Sequence, residues 1–181
     1  MPAMKTTGLL VLLFLMLSVP ALATDLTFFG GSQDPGVVTL QSVPDSGGAI
    51  ASIVHNPLRA GTLGIRIGSG RVVGHEATFA YTRHFIDANS KALIMNSNLT
   101  VTIPLPVVKP YVTAGLGTFL VSGSGLSDIG SKFAYNYGGG VKVLPAGPIG
   151  IHADVRGYSL TGVNGDTMNI TEVSIGVLFH F

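Results

Sequence analysis

A chain of 181 residues with 10 Lys and Arg against 9 Asp and Glu, only 10% charged and 46% apolar, has material for one domain and hardly for two. Soluble domains run near roughly 25% charged, so this surface is suited to meet something other than water, and the near-neutral balance excludes the basic field that nucleic acid requires. The lack of cysteine excludes disulfides, thiolate metal sites, thiol catalysis and a lipidated cysteine, and 25 glycines argue against a helical protein.

The first segment reads as an address. Lys5 supplies a positive start, Gly8 to Leu17 is an unbroken apolar run, and Pro20 ends it. Ala21 and Ala23 are small residues at the two positions that determine cleavage, which predicts a signal peptide over 1–23 and a mature chain from Thr24. The run is too short for a spanning helix, which needs ~20 residues. The remainder, 24–181, is expected to be one domain outside the inner membrane.

Beyond Thr24 the dominant signal is period-two alternation. In chain order it predicts strands over 25–33, 61–69, 72–86, 91–105, 109–122, 132–144, 149–159 and 168–181. The clearest is the seventh. Ile149, Ile151, Ala153 and Val155 share one face, and His152, Asp154, Arg156 and Tyr158 share the other. In the last strand Val173, Ile175, Val177, Phe179 and Phe181 alternate with Glu172, Ser174, Gly176 and His180, with Leu178 as the exception.

The connections alternate as well. Those near 69–71, 104–110 and 145–148 are compact, carrying Gly70 or several prolines, as tight turns do. Those at 34–60, 87–90, 123–131 and 160–167 are looser and polar. Short turns on one side and longer loops on the other are the pattern of an outer-membrane barrel.

Apolar faces must be buried in a core or in lipid. The opposite faces carry Arg66, Glu76, Asn136, Lys142, Asp154, Arg156 and Glu172 or glycine, so the apolar side is assigned to lipid and the polar side to a lumen. Lipid admits only structures that satisfy every backbone group internally, and for strands that means a closed barrel. The expected fold is therefore all-β: an eight-stranded, antiparallel, up-and-down transmembrane β-barrel in the cell outer membrane.

Gly64-Ile65-Arg66-Ile67-Gly68, Pro110 through Gly117, Tyr137 through Lys142 and the carboxyl-terminal strand carry a family resemblance. Over nearly its whole mature length the chain resembles the OmpA-like and OmpX-like eight-stranded barrels, grouped as the outer membrane protein β-barrel domain family. The pattern of Ser174, Gly176, Phe179 and Phe181 looks like the carboxyl-terminal signal read by barrel-assembly machinery. The resemblance thus implies that machinery as a partner during insertion, with outer-membrane lipids as the permanent surroundings.

The chemistry-bearing residues are weighed against simple filling of the lumen. His152, Asp154 and Tyr158 share a strand face, but no nucleophile or oxyanion hole accompanies them. The five histidines have no ligand spacing, so neither metal nor cofactor is expected, and Gly138-Gly139-Gly140 precedes no helix and is no phosphate loop. Arg66, Glu76, Asp154 and Arg156 are expected to form a polar cluster in the lumen. A turn centred on Arg71, between the second and third predicted strands, would place Arg66 directly opposite Glu76 as an ion pair. Phe79, Tyr81, Phe85, Tyr111, Tyr135, Phe179 and Phe181 are candidates for the aromatic girdles at the membrane interfaces.

The function expected is non-enzymatic: a structural or surface-interaction protein acting through its outer loops, chiefly 34–60, where an extracellular partner would bind. Eight strands leave a filled interior, so an open porin is not expected. A lipid-modifying enzyme on the same barrel is the first alternative. A soluble lipocalin-like carrier is the second, and it would need the apolar lumen that Arg66, Asp154 and Arg156 argue against.

Overall fold

The computed structural model describes residues 24–36, 38–41, 52–55, 59–86, 88–123, 130–163 and 166–181. Residues 1–23, with Ala21 and Ala23 of the expected processing site, lie outside the described residues. Ten strands follow in chain order: β1 (Asp25–Asp34), β2 (Val38–Gln41), β3 (Ser52–His55), β4 (Ala60–Ser69), β5 (Val73–Arg83), β6 (Lys91–Thr102), β7 (Val108–Ser122), β8 (Gly130–Val143), β9 (Ile149–Val163) and β10 (Asp166–His180). Eight of them close into a barrel in the order β1-β4-β5-β6-β7-β8-β9-β10, every neighbour antiparallel. The barrel closes where β1 meets β10, with Leu26 facing Phe179 and Gln33 facing Glu172.

The alternation read from the sequence is the alternation of the wall. Leu63, Leu99, Val112, Tyr137, Ile151, Val155, Val173 and Ile175 are exposed on the outer surface, while their chain neighbours turn into the lumen. A continuous apolar exterior of this size on a closed barrel is what a bilayer requires and water penalises.

The connections depart from expectation in two places. The segment 34–60 carries a second, two-stranded sheet, β2 paired with β3 from Val38↔His55 to Gln41↔Ser52. Its runs of four residues are too short for period-two alternation to register against the surrounding polar chain. The expected loose loop 160–167 is instead strand almost throughout: β9 runs to Val163, β10 starts at Asp166, and the two residues pair. Only Asn164-Gly165 stands between them, the composition of a two-residue hairpin.

The lumen also differs from the expected polar filling. Its turn-side and middle parts are polar. Its loop-side part is an apolar core of Phe29, Phe85, Ile94, Phe119, Leu160, Met168 and Ile170 with smaller neighbours. Such residues escaped notice because apolar side chains on both faces of a strand erase the alternation signal.

Candidate functional site: the sealed lumen

The charged centre is built on four strands. Arg66 comes from β4, Glu76 from β5, Asp154 and Arg156 from β9, and Glu172 from β10, all essentially buried. They alternate in sign along one chain of contacts. Glu172 accepts from Arg66 at 2.9 Å, and Arg66 reaches Asp154 at 3.1 Å. Asp154 also meets Arg156 at 2.8 Å, and Arg156 meets Glu76 at 2.7 Å. In the barrel order β5 and β9 stand opposite one another, so the Arg156–Glu76 pair spans the lumen.

The expected direct pair of Arg66 with Glu76 is corrected. The β4–β5 ladder sets Arg66 opposite Thr78 and Gly68 opposite Glu76, so the turn is centred on Val72 rather than Arg71. Moving the centre by one residue moves each partner by two. Glu76 therefore keeps its inward face and changes its partner, taking Arg156 from across the barrel.

Neutral donors complete the set. Gln33 donates to Glu172 at 2.7 Å, Thr82 donates to Gln33 at 3.0 Å, and Thr78 sits at 3.4 Å from Glu76. Ser174 donates to Asp154 and accepts from Arg66 at 3.0 Å. Two guanidiniums thus face three carboxylates, and the hydroxyl and amide dipoles help to offset the excess. Gln33, Glu172 and Ser174 belong to the network although sequence reasoning did not place them in it; the polar face of the last strand was the available signal.

Small residues make room for the long ones. A Cβ on Gly140 would lie 2.4 Å from the Cβ of Asp154, and one on Gly138 would lie 3.0 Å from the Cγ of Arg156. The glycine run is therefore packing space under the ion pairs. On the neighbouring wall, Gly115 faces Asn98 on one side and Asn136 on the other. The side-chain amides of Asn96, Asn98 and Asn136 are buried without a protein partner. Buried amides of this kind usually bind internal water.

The His–Asp pair has a definite arrangement in which the carboxylate is fully engaged and Nδ1 of His152 is buried without a partner. Tyr111 donates to Asp154 at 2.6 Å, which uses its proton, so the Nε2–H of His152 donates to the Tyr111 oxygen at 2.6 Å. Asp154 is then saturated by Tyr111, Ser174, Arg66 and Arg156. Ser174 bonds to Asp154 rather than to His152, which reverses the order that a nucleophilic serine needs.

Above the charged centre the lumen is closed a second time. Phe29 marks the boundary, its ring 3.9 Å beneath the guanidinium carbon of Arg66. At the end of β5, His84 adopts φ 55°, a left-handed conformation uncommon for a residue with a side chain. That kink turns the chain inward, and Phe85 and Ile86 are buried in the mouth of the barrel, Phe85 5.9 Å from Phe119. The main chain of Ile86 donates to the Ser90 hydroxyl at 2.7 Å, which ties the returning loop. Phe85 was expected in strand 72–86 and in the aromatic girdle. Both expectations are corrected, because the strand stops at Arg83 and the ring is a plug. Tyr111 is likewise a lumen residue and not part of a girdle.

The remaining candidates fall elsewhere. Tyr81, Tyr135 and Phe181 are exposed on the outside, and Phe179 packs edge-on against Phe28 with ring centres 6.1 Å apart. Of the carboxyl-terminal pattern, Ser174 is inside, Gly176 lies beneath Phe29, and Phe181 ends the ladder by donating its main-chain N–H to Thr24 at 2.8 Å.

Comparison with known proteins agrees with this geometry. The model of the outer membrane protein β-barrel domain matches residues 9–181. Comparison with curated proteins finds no match. Among solved structures, Neisserial surface protein A is similar at 16% identity and a TM-score of 0.62, over 87% of this chain and 96% of its own. OprG of Pseudomonas aeruginosa is similar at 13% identity and a TM-score of 0.55, over 88% and 97%. The outer membrane enzyme PagL is similar at 14% identity and a TM-score of 0.51, over 87% and 99%. At these identities the likeness is one of fold, shared by an enzyme and by proteins whose names give no activity.

Proposed function

The chain belongs to the outer membrane protein β-barrel domain family, and from that premise we propose that it is a non-enzymatic outer-membrane scaffold acting through what it displays at its loop end. One observation carries this reading: the lumen is closed twice, by the ion-pair chain from Glu172 to Glu76 and by the plug of Phe85 and Ile86. A barrel closed across its width offers no aqueous path, so a porin role is disfavoured, and planar bilayers holding the protein should show no steady ion conductance.

The groups of the ion-pair chain are spent on one another, and they sit inside the wall rather than where a lipid could reach them. On the outer face only the part-buried His75 and Ser97, among the described residues, share a His–Ser hydrogen bond, at 2.7 Å, with no carboxylate bonded to the imidazole. In outer-membrane barrels the short turns face the periplasm and the longer connections face outward. The outward end is then the one bearing 34–60 with its separate β2–β3 sheet. Recognition surfaces are commonly carried on loops held by a rigid frame.

The test is a pull-down from intact cells with the full chain and with a variant lacking residues 36–58. Loss of captured surface material from the variant, with outer-membrane delivery unchanged, supports the reading. Identical capture by both, or a change in lipid A composition on deleting the gene, overturns it.

A further inference from the structure

We infer that the turn-side mouth of the barrel, opposite the loops, is a binding site for a phosphate group. A cavity of about 610 Å³ opens there, lined by Arg71, Lys109, Lys142 and His180 and, among the described residues, by a single acidic side chain, Asp25, with Leu105 among its apolar walls. Asp25 is already occupied. One carboxylate oxygen holds Lys142 at 2.6 Å and the other holds His180 at 2.6 Å.

The other two cations are left over. Lys109 and Arg71 have no ion pair or side-chain hydrogen bond with any described residue. Lys109 stands directly across the β7–β8 ladder from Lys142, on the same inward face. Like charges set opposite one another on adjacent strands destabilise the pair. Asp25 already offsets Lys142, so Lys109 is the ammonium of the two that is left without an anion. Arg71 is brought to the same mouth by the β4–β5 turn, where Gly70 at φ 92° makes the reversal.

A concave site with low-dielectric walls focuses such a field on its occupant. The planar guanidinium fork of Arg71 with the unpaired ammonium of Lys109 suits a tetrahedral oxyanion carrying more than one negative oxygen. Two sources offer that chemistry at a periplasmic mouth: a soluble phosphate, and the headgroup of an inner-leaflet phospholipid whose chains would follow the apolar walls.

The experiment is an amide NMR titration of the barrel purified in dodecyl maltoside, a detergent without phosphate. One arm adds pyrophosphate, with sodium chloride at matched ionic strength as control. The other adds phosphatidylglycerol to the micelles, with diacylglycerol as the control lacking phosphate. Saturable shifts confined to residues around 70–72, 109 and 141–143 are expected. They should weaken about tenfold or more in Arg71→Gln with Lys109→Gln, the loss of one or two charge-assisted contacts. Both substitutions lie outside the ion-pair chain, and retained heat-shifted gel mobility shows the variant barrel intact. Saturation with pyrophosphate alone identifies a soluble phosphate, saturation with phosphatidylglycerol alone identifies the lipid, and either supports the site. Shifts that fail to saturate, that match the controls, or that persist unchanged in the variant overturn it.

Discussion

The two halves of the lumen are closed by opposite means. The centre and turn side are held by Arg66, Arg156 and their carboxylates, a set that repays its desolvation only because every member is paired. The loop side is held by Phe85, Phe119, Ile94, Leu160 and Met168, which gain from burial without needing a matched partner. A charged layer is unforgiving about register, since each group must meet its opposite. An apolar layer tolerates small shifts and fills volume. The difference teaches that this barrel takes its alignment from one layer and much of its packing from the other.

The sharpest way to break that contrast is Arg156→Leu. It strands Glu76 and leaves Asp154 with one guanidinium fewer, and it should cost about 3–5 kcal/mol in urea unfolding of the lipid-reconstituted barrel. Adding Glu76→Leu should recover part of the loss, whereas strictly additive losses would mean that the pair is not coupled. In the apolar half, Leu160→Ala should cost about 2–5 kcal/mol, set by the cavity it leaves. Here a second truncation at Ile94 should only deepen the loss, and rescue would contradict the assignment of that half to packing.

A smaller effect, of opposite sign, is expected at the border between the halves. Asn136→Leu removes a buried amide that has no protein partner, and it should be neutral or stabilising by about 1 kcal/mol. A loss larger than that would show the amide to be firmly bonded to internal water. The smallest change in stability belongs to Phe181→Asp, ~0–1 kcal/mol because the residue is at the interface. If the carboxyl-terminal pattern is a recognition signal, the same variant should nonetheless reach the outer membrane poorly. Equal delivery with the parent would remove that role.

Most of the wall was legible because a half-buried strand writes its two environments in alternate residues. Ile149 to Tyr158 states its lipid and lumen faces outright, and the polar cluster of Arg66, Glu76, Asp154 and Arg156 followed from it. What was not legible depends on distance across the barrel. Nothing in the chain near Glu76 indicates that its partner is Arg156, 80 positions away. The plug hides for another reason: Phe85 and Ile86 continue a strand-like run, and only the backbone reversal at His84 turns them inward. The tight β9–β10 connection, by contrast, was readable from Asn164-Gly165, a strong two-residue hairpin signal that was outweighed by the polar composition around it.

The β9–β10 hairpin outruns its neighbours. Pairing of β10 with β1 ends at Thr171 and pairing of β9 with β8 ends at Leu160, yet β9 and β10 stay paired up to Val163 and Asp166. In mechanical terms it is a cantilever rooted in the barrel. Its ladder bonds lie across the strands, so a pull on the tip along the barrel axis shears the whole row that anchors β9 to β8 and β10 to β1. The row resists as a group and does not open one bond at a time. A force applied at the Val163–Asp166 end of this hairpin is thus delivered directly into the wall.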